Sequence, residues 1–115
     1  MPIFKVGDVV KVPFPYVDVP VQEVRPALII SAKAVGPKED LFWVLMITSA
    51  ANRGWPGDIS LEADFADAGL TVPSVIRTEK IATVEQGSAV LLGHIGPEKL
   101  AAVHARLWQT LTPAQ

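Results

Sequence analysis

The sequence predicts a mainly β domain, a small and strongly bent β-barrel with one C-terminal helix, and three observations support this fold class. Short runs of branched and aromatic residues recur between turn residues along most of the chain. The 8 glycines and 10 prolines supply many tight turns. Apolar residues form a long stripe at helical spacing only near the C-terminus. Because no linker or repeat interrupts the 115 residues, we expect a single domain over residues 1–115.

Period-two alternation and apolar runs predict the strands. A first strand spans Gly7–Tyr16, and Pro13 and Pro15 favour an outer position or a frayed end because a prolyl nitrogen donates no hydrogen bond. Arg25–Ser31 forms a second strand. Leu41–Ile47 is apolar on both faces, which indicates the central strand. The shorter strands predicted downstream are 58–61, 74–77, 80–84 and 90–95.

Turn-rich segments and one amphipathic stretch complete the predicted fold. Residues 48–57 form a loop of a length that is usually functional or mobile. Glu62–Ala68 predicts one or two helical turns ended by Gly69, whose backbone can adopt a left-handed conformation. Pro97 opens the terminal helix, in the first turn where its missing N–H has no cost. The apolar stripe of that helix comprises Leu100, Val103, Leu107 and Leu111, widened by Trp108.

The composition excludes several classes of function. The chain has 10 Lys+Arg against 12 Asp+Glu, so any nucleic-acid site must be local and cannot rely on bulk charge. It has no cysteine, which excludes disulfide and zinc-ribbon scaffolds. No apolar run is long enough for a membrane span, and Met1–Lys5 lacks the zones of a signal peptide. We therefore expect a soluble, cytoplasmic protein that does not contact a membrane.

The first candidate for chemistry is the pair Arg77 and Glu79. Residues two apart in an extended segment project from one face, roughly 7 Å apart. Metal-free RNA cleavage needs such a cation and base, one to neutralise the phosphorane and one to accept the proton of the 2'-hydroxyl. A surface salt bridge explains the same spacing, and from the spacing alone it is the stronger interpretation.

The second candidate joins the beginning of one predicted strand to the end of another. Arg25 can bind phosphate oxygens through two parallel hydrogen bonds, and the hydroxyls of Thr48 and Ser49 add neutral donors. The alternative is that Arg25 only caps a hairpin.

The loop after Ser49 offers an amide, a cation and an aromatic ring, at Asn52, Arg53 and Trp55. Unstacked RNA bases are bound by such groups. The alternative is that Trp55 plugs one end of the barrel, and physical reasoning alone favours that role.

A metal site is not predicted. His94 and His104 lie in different elements without a third ligand nearby in sequence. Four acidic residues follow the long loop: Asp58, Glu62, Asp64 and Asp67. They lack calcium-loop spacing and are expected to form a solvated face. We expect neither metal nor cofactor.

Several segments, taken in order, resemble the PemK/MazF family of toxin endoribonucleases nearly end to end. The matching segments are Gly7-Asp8-Val9-Val10, Phe14-Pro15, Arg25-Pro26-Ala27-Leu28-Ile29-Ile30, Ile47-Thr48-Ser49, Val75 to Ile81 and the helix segment Leu100 to Leu107. The resemblance implies an SH3-like bent β-barrel and a homodimer. It also implies metal-independent cleavage of single-stranded RNA at short sequences, through attack by the 2'-hydroxyl that leaves a 2',3'-cyclic phosphate and a 5'-hydroxyl.

The resemblance also assigns residues. The phosphate-binding arginine of the family falls on Arg25 and its strand-end hydroxyl on Thr48. The acid and base of one branch, an Arg-x-Asp pair, fall on Arg77 and Glu79, with Glu in place of Asp. The predicted catalytic set is therefore Arg25, Thr48, Arg77 and Glu79. The predicted RNA-binding set is Ser49, Asn52, Arg53, Thr78 and Lys80.

The resemblance further implies an antitoxin partner. Its acidic, disordered tail would occupy the RNA groove, which agrees with local cations in a chain of balanced charge. The complex could also contact operator DNA, mainly through the antitoxin. A non-catalytic barrel that binds RNA or a peptide is the alternative, and a purely structural subunit is a third class.

Overall fold

The computed structural model describes residues 4–15 and 22–114, and within them one six-stranded antiparallel sheet is followed by a C-terminal helix. The strands are β1 (Asp8–Pro15), β2 (Gln22–Ile29), β3 (Leu41–Ser49), β4 (Asp58–Leu61), β5 (Ser74–Glu85) and β6 (Val90–His94), and the helix is α1 (Pro97–Leu111). Their order across the sheet is β4-β5-β3-β2-β1-β6, with β4 and β6 at its two edges. The sheet is bent and open, which confirms the predicted mainly β fold with a terminal helix.

The central strand β3 is buried on both faces. Successive residues of a strand point to opposite sides, and each side of β3 packs in an apolar cluster. Val44 and Met46 join one apolar cluster, whereas Leu45 and Ile47 join the other. This arrangement confirms Leu41–Ile47 as the central strand, which pairs with β2 and β5.

The two prolines of β1 lie where the sheet narrows. β6 pairs only with the residues of β1 from Asp8 to Lys11, so Pro13 and Pro15 pair with β2 alone. The predicted outer position is therefore right for the second half of the strand only. Tyr16, the last residue of the predicted strand, lies outside the described residues.

The prediction of separate strands at 74–77 and 80–84 is wrong, because both belong to β5. The pairing of β5 with β3 jumps at one point, where Leu45 faces Ile81 and the next residue, Met46, faces Arg77. Residues 78–80 are thus extra on β5. An insertion of this kind bends a strand and interrupts the alternation of its side chains.

The helical turns predicted for Glu62–Ala68 are also absent from the described chain, which forms consecutive turns over residues 62–69. Gly69 has the predicted left-handed backbone, with φ of 79°. A side chain at this position would collide with the carbonyl of Leu92 in β6, so the close approach of the two segments requires glycine.

Helix α1 begins at Pro97, as predicted, and Leu100, Val103 and Leu107 of the predicted stripe pack in the second apolar cluster. Val103 is fully buried there. The predicted stripe does not continue, because Trp108 is 70% exposed and Leu111 is 77% exposed. Among the described residues, no helix has both the length and the apolar character needed to cross a membrane.

Candidate functional site

The structure brings Arg25, Thr48 and Ser49 together around one cavity of about 350 Å³, which we call the Arg25 cavity. These residues line one cavity because β2 begins beside the end of its neighbour β3. Lys11 of β1 also lines this cavity, opposite Pro26 in the strand pairing. The sequence analysis missed Lys11, although its polar position between Val10 and Val12 marks it as a residue on the outward face.

Arg25 is placed to bind an anion at the edge of this cavity. Its side chain is 35% exposed, and its Nη2 donates to Glu23 Oε2 at 2.8 Å. Glu23 is itself largely exposed, and ion pairs of this kind contribute at most about 1 kcal/mol. An anion in the cavity can therefore compete with this carboxylate for the guanidinium.

The end of β3 turns sharply and presents its two hydroxyls. Ser49 Oγ accepts from the Ala51 N–H at 3.2 Å and caps a short 3-10 helix over Ala50–Asn52. Thr48 is buried, and its Oγ1 accepts from Asn52 Nδ2 at 3.1 Å. A hydroxyl that accepts one hydrogen bond still has its own proton to donate. Thr48 can therefore donate to an anion in the cavity.

Arg77 occupies a buried site of a different kind. It is only 5% exposed, and its Nε and Nη2 donate to the two carboxylate oxygens of Asp58 at 3.2 and 3.0 Å. Nη2 also donates to the carbonyl oxygen of Asn52 at 2.7 Å. Arg77 therefore ties β5 to β4 and to the turn that holds Thr48.

The prediction that Arg77 and Glu79 project from one face is wrong. Glu79 is exposed and lines a separate cavity of about 680 Å³ with Trp43, Ile81 and Leu107, and Arg77 is not part of its lining. The physical reason is the insertion at residues 78–80, which interrupts the alternation that the prediction assumed.

The two residues flanking Glu79 also differ in their surroundings. Thr78 is buried, and its Oγ1 donates to the carbonyl oxygen of Gly57 at 2.7 Å, which fixes the loop before β4. Lys80 places its Nζ 5.8 Å from the centre of the Trp55 ring. Both predicted RNA-binding residues thus contact the loop of residues 52–57.

Trp55 does not plug an end of the barrel. Its side chain is 44% exposed, and the guanidinium carbon of Arg77 lies 4.6 Å from the ring centre. Arg53, in the same loop, donates from Nη1 to the Ala50 carbonyl at 3.0 Å and pairs with Glu62 at 3.5 Å. The loop is therefore held from several sides.

The prediction of a solvated acidic face is wrong for Asp58. Its side chain is almost completely buried against Arg77, whereas Glu62 is exposed as expected. Sequence reasoning missed this ion pair because it depends on the pairing of β4 with β5, in which Asp58 is opposite Arg77. Within residues 4–15 and 22–114, no cluster of three or more His, Asp or Glu side chains could hold a metal ion.

The fold and the Arg25 cavity define a class of small, open β-barrels that present a cation and hydroxyls where two strand ends meet. The chain belongs to the family of PemK-like, MazF-like toxins of type II toxin-antitoxin systems, whose family model matches residues 5–111. This match confirms the family that the sequence motifs indicated.

Solved structures show the same fold. MazF from Deinococcus radiodurans is 25% identical, with 94% of this chain and 96% of that chain covered and a TM-score of 0.74. A mycobacterial endoribonuclease, solved in complex with its cognate antitoxin, is 17% identical over 97% of this chain and 99% of that chain, with a TM-score of 0.73. The Mycobacterium tuberculosis toxin MazF-mt6 is 21% identical over 87% and 92%, with a TM-score of 0.65. Among curated proteins, no sequence matches the chain.

Proposed function

We propose that this toxin is a sequence-specific, metal-independent endoribonuclease that cleaves single-stranded RNA and is neutralised by an antitoxin. The observation that carries the proposal is the meeting of Arg25, Thr48 and Ser49 at one cavity. The family resemblance assigns the phosphate-binding arginine and the strand-end hydroxyl to the first two of these residues. These residues come from separate strands and line one cavity, which supports the assignment.

Arg25 and Thr48 act on the scissile phosphate in this proposal. The guanidinium of Arg25 donates two hydrogen bonds to the non-bridging oxygens, and the hydroxyl of Thr48 donates a third. These donors stabilise the charge that develops as the phosphorane forms. Lys11, on the cavity lining, adds positive charge at the edge where the RNA strand enters.

The 2'-hydroxyl of the RNA is the nucleophile. Its oxygen forms a bond to phosphorus, the bond from phosphorus to the 5'-oxygen breaks, and the products are a 2',3'-cyclic phosphate and a 5'-hydroxyl. Glu79 accepts the proton of the 2'-hydroxyl, and the leaving 5'-oxygen takes up a proton from water. The 2'-hydroxyl lies beside the phosphate that it attacks, and Glu79 lies outside the Arg25 cavity, so this assignment requires Glu79 to come within hydrogen-bond distance of that hydroxyl when RNA binds.

Arg77 supports the reaction from within the protein. Its hydrogen bond to the Asn52 carbonyl fixes the turn whose side-chain amide holds Thr48 Oγ1. Arg77 thus positions Thr48, and Asp58 neutralises the charge of Arg77. The remaining predicted RNA-binding residues, Ser49, Asn52, Arg53, Thr78 and Lys80, surround this turn and the adjoining loop.

The proposal includes a homodimer, a cytoplasmic location and an antitoxin with an acidic, disordered tail, through which operator DNA can be contacted. Exposed apolar side chains at the end of α1 support the dimer, because Trp108 is 70% exposed and Leu111 is 77% exposed. Light scattering at micromolar concentration should give the mass of two chains. A concentration-independent single-chain mass would contradict the dimer.

Incubation with a long, unstructured RNA in EDTA tests the proposed function directly. We expect cleavage at a short recurring sequence, with a cyclic phosphate and a 5'-hydroxyl at the mapped ends. Intact RNA that nevertheless binds would favour the non-catalytic barrel. A structural subunit would neither bind nor cleave RNA.

A further inference from the structure

We propose that the ring of Trp55 is a prebuilt stacking surface for one unpaired RNA base. The inference rests on the proposed function, in that it takes RNA as the ligand of this toxin. A large aromatic side chain that is 44% exposed, within a loop beside a candidate phosphate site, needs an explanation other than core packing. Base stacking is the use of such a ring that fits its surroundings.

The ring is supported from within the protein. The guanidinium of the buried Arg77 lies 4.6 Å from the ring centre, at a distance typical of cation–π contact. Arg77 is held in place because both carboxylate oxygens of Asp58 accept its hydrogen bonds. Trp55 is thus in contact with a fixed group while 44% of the residue stays exposed.

The backbone that carries the ring is also fixed. Asp58 Oδ2 accepts from the N–H groups of both Gly54 and Trp55, each at 3.3 Å. Arg77 holds the carbonyl of Asn52 at the start of the loop, and Thr78 holds the carbonyl of Gly57 at its end. A ring held in this way loses little conformational entropy when a base stacks on it.

The electrostatic surroundings suit a nucleotide. Lys80 Nζ lies 5.8 Å from the ring centre, where its charge can attract the phosphate of a nucleotide whose base is on the ring. The charge of Arg77 is neutralised by Asp58, and Lys80 adds a positive charge beside the ring. Such a site binds a base and a phosphate together.

The stacking surface is connected to the Arg25 cavity by a short series of contacts. Thr48 Oγ1 accepts from the Asn52 side chain, the Asn52 carbonyl accepts from Arg77, and Arg77 contacts Trp55. A base on Trp55 therefore belongs to a nucleotide near the scissile phosphate. Because every base has a π-face, this contact adds affinity without choosing the base.

Binding of two uncleavable probes tests the proposal. One is a 2'-O-methyl oligoadenylate of about 12 nucleotides, within the range of single-strand site sizes, and the other is an abasic oligomer of the same length and charge. We expect Trp55→Ala to weaken oligoadenylate binding about tenfold or more and to leave binding of the abasic oligomer unchanged. Trp55→Phe, which keeps a ring, should retain most of the affinity.

Fluorescence of a protein with a single tryptophan provides a second readout. The chain has 3 tryptophans, so the double variant Trp43→Phe/Trp108→Phe leaves Trp55 as the sole emitter. Oligoadenylate should quench its emission, and the abasic oligomer should not. This arm keeps Trp55 and remains informative if Trp55→Ala folds poorly.

Three results would overturn the stacking surface: equal losses on both probes, no loss on either, or wild-type protein that binds oligoadenylate no more tightly than the abasic oligomer. Failure of the proposed cleavage gives a different pattern. Selective oligoadenylate binding and quenching, without cleavage of any RNA in EDTA, would support the stacking surface and contradict the endoribonuclease.

Discussion

The Arg25 cavity and the Arg77 site differ in how their charged groups are satisfied. Arg25 is partly exposed and paired with an exposed carboxylate, whereas Arg77 is buried and makes three hydrogen bonds to Asp58 and Asn52. A ligand can engage the first arginine without disturbing the fold. The second is part of the fold, and in the proposed reaction it acts through the groups that it holds. Two arginines assigned to one reaction thus have separate physical roles.

The largest effect should come from removing the carboxylate at the buried site. Asp58→Ala leaves the Arg77 guanidinium buried and unpaired, and breaking a buried pair in this way typically costs 3–5 kcal/mol, so we expect a loss of about that size in the free energy of unfolding. Denaturant unfolding measures it. Glu62→Ala, which removes an exposed carboxylate paired with Arg53, is the matched control and should change stability by less than about 1 kcal/mol. Equal effects of the two changes would contradict the distinction.

At the Arg25 cavity we expect the reverse, a loss of activity without a loss of stability. Arg25→Ala should lower the cleavage rate on the order of a hundredfold, or about 3 kcal/mol of transition-state stabilisation. The free energy of unfolding should change by less than about 1 kcal/mol, because the side chain is partly exposed and its ion pair lies at the surface.

A matched control for Arg25→Ala is Lys38→Ala, which removes an exposed cation in the turn before β3. It should leave both cleavage and stability unchanged. Unchanged turnover of purified Arg25→Ala would remove Arg25 from the catalytic set.

A smaller effect should follow from Thr48→Val, which keeps the shape of the side chain and removes its hydroxyl. We expect cleavage to fall about tenfold, and stability to fall by about 1 kcal/mol because the Asn52 amide loses its acceptor. Thr48→Ser, which restores the hydroxyl, should recover most of the activity. Full activity of Thr48→Val would contradict a role for the hydroxyl.

The same comparison shows what the sequence could predict. Secondary structure was predicted from local sequence patterns, and the central strand and the helix beginning at Pro97 were predicted correctly. Arg25 and Thr48 were predicted to act together from their places at strand ends and from family motifs, and they share a cavity. These predictions needed only alternation, turn residues and motif order.

The Arg77 site depends on strand register, which the sequence pattern does not specify. Extra residues on β5 separate the surroundings of Arg77 and Glu79, and the pairing of β4 with β5 buries Asp58. No local pattern marks either feature, since both arise from contacts between segments distant along the chain. The role of Trp55 was misjudged for the same reason, because its partner Arg77 lies in another strand.

The central claim is that the nucleophile belongs to the RNA, and a substrate with one altered ribose tests it most directly. In an oligonucleotide that the toxin cuts, the ribose on the 5' side of the scissile phosphate is replaced by deoxyribose, with EDTA present throughout. We predict that cleavage stops while binding persists, and that Glu79→Gln on the unmodified strand likewise lowers turnover far more than affinity. Cleavage of the deoxy-substituted strand, or a strict requirement for added divalent ions, would contradict the account.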